Sequence, residues 1–136
     1  MNKIYLVRLF SVVIFTVVCS SFGQVHDDFQ TRFKRIAAIF EKSLEPYAMK
    51  FAKASYSEKE VKDSPKIVEA RYSIYIQKAQ LLRDELRSAM VSSGDLDYYT
   101  NDRITETLQF AYRNHYPGLD YTFFESVAKE VKETSK

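Results

Sequence analysis

PKIVEARYSIYIQKAQLLRDELRSAMVS, residues 65–92, reads as one long helix, and the fold class follows from it. Ser64 is expected as its N-cap, the hydroxyl accepting an orphan amide of the first turn, and Pro65 takes the first helical position, where no donor is missed. Gly94 can end it by turning left-handed just past the last periodic residue. Between these ends Val68, Tyr72, Tyr75, Ala79, Leu82, Leu86 and Met90 recur at three- and four-residue steps. Ile67, Ile74 and Leu81 form a second line, with Arg71, Lys78 and Glu85 between the two lines as a solvated seam. Two apolar lines predict neighbours on two sides. The helix is therefore expected at the centre of the molecule.

Upstream, Phe29, Phe33, Ile36, Phe40, Leu44, Tyr47 and Phe51 keep one helical stripe from Asp28 to about Lys53. Pro46 interrupts the hydrogen-bond ladder at a cost of about 3 kcal/mol. The stripe holds its phase across Pro46, so one kinked helix is expected rather than two. Ala54 to Ser64 is a polar connection in which Ser57 and Glu60 form a capping box, opening a short helical turn from Glu58 to Lys62.

Downstream, SSGDLDYYTND is dense in turn formers, and a third helix follows from about Asp102 to His115. Ile104, Leu108, Ala111 and His115 align on it, and Pro117-Gly118 ends it. Thr122 and Glu125 form a second capping box before a fourth helix to about Glu133, with Phe124, Val127 and Val131 inward. No strand or hairpin pattern is present. The expected fold is all-α, a roughly four-helix bundle of two long helices back to back and a shorter helical pair.

The chain opens with MNKIYLVRLFSVVIFTVVCSSFG, in which Lys3 and Arg8 precede an apolar run from Leu9 to Cys19 and then small residues. This is the layout of a secretory signal peptide, residues 1–23, with cleavage after Gly23 and a secreted or periplasmic product. The alternative is an uncleaved N-terminal anchor, but the run falls short of the roughly 20 residues a spanning helix needs. Acylation at Cys19 fits less well, because Val18 is bulky just before it. Residues 24–136 then form a single helical domain of about 113 residues, a size at which about two-thirds of the unfolded surface is buried.

Both charges of the signal segment are basic, so the 20 Lys+Arg fall to 18, against 18 Asp+Glu. A chain near neutrality has no basic excess for a nucleic-acid backbone, and no polybasic cluster for anionic lipid. Cys19 is the only cysteine. Its removal leaves no disulfide, thiol nucleophile or thiolate ligand, so the core alone must hold the domain.

Chemistry-bearing candidates are few. Asp95 to Glu106 places acids at positions 1, 3 and 12 of a calcium-loop spacing, but position 6 is Thr100 where that loop requires glycine. Asp95 and Asp102 are better read as helix caps. His115 has no serine, cysteine or carboxylate arranged by sequence to complete a catalytic set, and its place in a last helical turn suits the dipole. Met49 with His115 could ligate haem, but two residues make no motif. No spacing for zinc or di-iron occurs. No metal, cofactor or enzymatic activity is expected.

Nine of the ten tyrosines lie beyond the signal segment. Tyr72, Tyr75, Tyr112 and His115 could line a cavity for a small apolar ligand between the central and third helices. Tyr98, Tyr99, Tyr116 and Tyr121, in the two connections, could instead make an exposed aromatic patch for a protein partner. The sequence favours a non-catalytic domain that binds another macromolecule, with the small-ligand carrier as the alternative.

Overall fold

The computed structural model describes the side chains of residues 28–136. The side chains of the expected signal peptide, residues 1–23, lie outside those described. The fold is all-α: α1 (Asn2–Lys53), α2 (Glu58–Asp63), α3 (Pro65–Ser92), α4 (Asn101–His115) and α5 (Tyr121–Thr134), with a 3₁₀ turn at Leu96–Tyr98. Among the described residues no helix is long and apolar enough to cross a membrane.

The α3 boundaries are those the sequence marks. Pro65 begins the helix, and Gly94, at φ 76°, turns left-handed beyond Ser93, whose amide still reaches the Ala89 carbonyl. Ser64 makes no side-chain cap. The residue is already spent as the C-cap of α2, its amide donating to the Glu60 carbonyl, and this fixes it in a conformation unsuited to capping α3. The Ser57–Glu60 capping box forms as read, with the Glu60 amide 3.2 Å from Ser57 Oγ and the Ser57 amide 2.7 Å from Glu60 Oε2. The other two caps differ from expectation. Thr100, not Asp102, accepts from the Arg103 amide at the start of α4, and Asp120, not Thr122, accepts from the Phe123 amide at the start of α5. Asp95 makes no cap bond.

α1 runs on through Pro46, as its unbroken stripe requires. Phe29, Phe33, Ile36, Phe40 and Leu44 are buried, but so are Ala37, Ile39, Ala48 and Ala52. At 100° per residue these span an arc of about 220°, more than half the helix. Three helices fill that arc. Glu41 meets Arg83 of α3 at 2.7 Å, while Lys42, one residue on, faces Glu130 of α5. Phe40 packs on Tyr112 of α4 at 5.0 Å and on Phe123 of α5 at 6.2 Å.

The centre of the molecule is therefore α1, not α3. Val68, Ala79, Leu82 and Met90 of α3 are buried, whereas Ile67, Ile74 and Leu81 are exposed by 46, 64 and 65%. The exposed line sits about 120° around α3 from the buried one, beyond the reach of α1 and α4. Two apolar lines do not require two neighbours within one chain.

Candidate functional site

The groove worth attention lies where the C-terminal part of α1, the middle of α3 and the α4–α5 turn meet. It encloses about 630 Å³. Tyr47, Lys50 and Phe51 of α1 form one wall, with Ala54 just beyond; Ile74, Tyr75 and Lys78 of α3 form the other. His115, Tyr116, Pro117 and Gly118 close the end.

The floor is an aromatic run. Phe51 lies 5.2 Å from Tyr75, Tyr75 lies 4.8 Å from Tyr116, and Tyr116 stacks on Tyr112 at 5.7 Å. Such pairs, tilted or offset, hold ring orientation better than area burial alone would. The Tyr116 hydroxyl donates to the Tyr75 carbonyl at 3.0 Å, tying the α4–α5 turn to α3. Tyr47 donates to Asp120 Oδ1 at 2.9 Å. That carboxylate also accepts from the Phe123 amide, and the two bonds hold its pKa below the ordinary value. Burial pushes the phenols of Tyr75, Tyr112 and Tyr116 upward, so all stay neutral at any physiological pH.

The rim is cationic. Lys78 Nζ donates to the His115 carbonyl at 3.3 Å and stands over the Tyr116 ring at 5.2 Å. Arg71 reaches the Ala54 carbonyl at 3.0 Å and lies over the rings of Phe51 and Tyr56. Arg71 and Lys78, two members of the seam between the lines of α3, thus satisfy carbonyls where α1 and α4 end, as cations near helix C-termini do. His115 Nδ1 lies 2.9 Å from the Ala111 carbonyl. A carbonyl only accepts, so Nδ1 carries the proton and Nε2 is left for another contact.

Of the four residues expected to line a ligand cavity, Tyr75 and His115 are in the groove. Tyr112 is fully buried beneath it, and Tyr72 is half-exposed on α3 outside it. His115 is exposed at the rim rather than inward on α4, and Met49 is exposed outside the groove, so the two form no haem pair within it. Among the described residues no cluster of three or more His, Cys, Asp or Glu could hold a metal.

The expected aromatic patch is divided. Tyr99 packs on Phe29 at 6.0 Å, with Tyr98 against it. Tyr121 follows Asp120, which is bonded to Tyr47. Phe29 and Tyr47 are 18 residues apart on α1, about 27 Å along the axis. Tyr116 is buried, not exposed, because the turn folds back across α3. Only Tyr98 and Tyr121 are largely exposed, at opposite ends of the molecule.

Sequence reasoning missed Tyr47, Lys50, Phe51, Ile74, Lys78 and Pro117 as groove residues. Phe51 carried a usable signal: it closes the α1 stripe, yet it lies in the last turn, where few neighbours remain to cover it. It is 46% exposed. Comparison of the chain with protein-family models, with curated proteins and with solved structures gives no match.

Proposed function

We propose that this chain is an exported, non-catalytic binding domain that engages another protein through the groove between α1, α3 and the α4–α5 turn. In this reading residues 1–23 are a signal peptide cleaved after Gly23, with an uncleaved anchor as the alternative, and residues 24–136 form a four-helix bundle in which α2 is a connector. One observation carries the functional reading. The groove does not stop at its own mouth: Ile74, one of its lining residues, is also the middle member of the exposed line Ile67, Ile74 and Leu81. The ends of that line are 14 residues apart, about 21 Å along α3. An apolar line of this length, meeting an aromatic groove at Ile74 and edged by Arg71 and Lys78 on that stretch, suits a macromolecular partner that covers the whole of it.

A carrier of a small apolar ligand is the second reading, favoured by the groove's volume, which falls within the usual range for ligand sites. A ligand of that size would leave Ile67 and Leu81 wet.

Photo-crosslinking in the source cell separates the two. A benzophenone side chain at position 74 is expected to give a discrete protein adduct, and one at Phe110, exposed on α4 outside the groove, none. Equal labelling from both positions, or adducts from neither with a small molecule retained in native mass spectrometry, would refute the protein-binding reading.

A further inference from the structure

The chemistry of the groove goes one step further than its location, and the step rests on the binding reading just given. Lys50, Lys78 and His115 are the ionisable groups of the lining other than tyrosine, and no Asp or Glu is among them. Arg71 adds a further cation beside Phe51. Asp120, the acid bonded to the lining residue Tyr47, also accepts from the first turn of α5, so its charge is engaged there. Lys78 uses one donor on the His115 carbonyl, and an ammonium has three. Among the described residues Lys50 makes no ion pair.

We infer that the partner presents a peptide segment in which a carboxylate lies within a residue or two of an aromatic or aliphatic side chain. The apolar side chain enters between Phe51, Tyr75 and Tyr116, and the carboxylate meets Lys78 at the rim, with Lys50 on the facing wall. A segment with apolar groups repeating along one face would also cover Ile67, Ile74 and Leu81, which a free carboxylic acid of small size cannot do. A charge-assisted hydrogen bond at a partly desolvated rim is strong enough to set preference among apolar segments of equal hydrophobicity.

The test is selection of a random dodecapeptide phage library on the immobilised full chain, with the best peptide then measured by fluorescence anisotropy. The expected result is enrichment of Asp or Glu within two positions of Phe, Tyr, Leu or Ile. Replacing that acid by its amide should weaken binding about tenfold or more, the scale of one charged hydrogen bond. Lys50→Glu, which removes no side-chain bond among the described residues, should do the same, and Lys78→Glu should do so with an unchanged circular dichroism spectrum. Peptides that lose binding to Ile74→Glu but show no acid enrichment would overturn the inference and leave the groove reading standing. Peptides insensitive to Ile74→Glu would overturn both. Sedimentation of the full chain as a dimer that Ile74→Glu dissolves would also overturn the inference, giving the surface to a second copy.

Discussion

Leu81 and Leu82 are neighbours in one helix with the same side chain and opposite environments, and their replacement by alanine tests the placement of α3. Leu82 is 7% exposed and part of the core; Leu81 is 65% exposed. Leu82→Ala removes buried carbons and leaves a cavity against α1, a change that costs about 2–5 kcal/mol. Leu81→Ala gives up only the buried third of the side chain. Scaled from about 1.5–3 kcal/mol for full burial, that is about 0.5–1 kcal/mol, and the better helix propensity of alanine offsets some of it. At about 4 °C per kcal/mol for a domain of this size, Leu82→Ala should lower Tm by about 8–20 °C and Leu81→Ala by less than about 4 °C. Urea titrations with linear extrapolation give the two free energies, provided the slopes match. Equal losses for the two variants would refute the reasoning, since they would mean that the outer line of α3 is covered.

Tyr112→Phe is expected to leave stability unchanged or raise it by about 1 kcal/mol, because the Tyr112 hydroxyl is buried without a hydrogen-bond partner among the described residues; a loss above 1 kcal/mol in urea titration would contradict this. Thr100→Ala should cost about 1 kcal/mol through the lost cap of α4, read in the same assay. Ser55 holds φ 72°, the left-handed region, so Ser55→Gly should raise stability by about 0.5–1 kcal/mol, visible as a higher urea midpoint. The folded pKa of Asp120 is depressed, chiefly by the Phe123 amide and then by Tyr47, so its contribution is full above the ordinary carboxylate pKa of about 4 and is lost as pH falls through the lower folded value. Asp120→Asn keeps a capping oxygen without the charge, and its Tm should therefore fall less steeply below about pH 4 than that of the parent chain.

How much of this was legible depended on the kind of signal each residue carries. Pro65, Gly94 and the Ser57–Glu60 pair act through backbone geometry within a few residues, and they marked α2 and α3 correctly. The all-α class followed from periodicity alone. The centre of the molecule did not, because Ala37, Ala48 and Ala52 add a buried face to α1 without adding a visible apolar stripe. Ile67, Ile74 and Leu81 misled for the converse reason: periodicity reports an apolar face, not what covers it. The caps at Thr100 and Asp120 each lie two residues before the expected ones, within the span over which Asx and hydroxyl side chains compete.

The groove was legible only in pieces. Tyr75 and His115 were marked by type and position, but the site is made from three elements far apart in sequence. Tyr116 shows the difficulty most plainly. A tyrosine before Pro-Gly reads as turn surface, yet its hydroxyl bonds the Tyr75 carbonyl across the fold and its ring becomes the floor.

Solvent relaxation enhancement tests the central claim most directly. With a soluble gadolinium chelate added to the full chain, the methyl signals of Ile74 and Leu81 should broaden strongly while those of Ile36, Ile104 and Leu82 persist. Broadening of the latter three, or protection of Ile74 and Leu81 equal to theirs in a monomeric sample, would contradict an α1-centred fold with a free apolar face on α3.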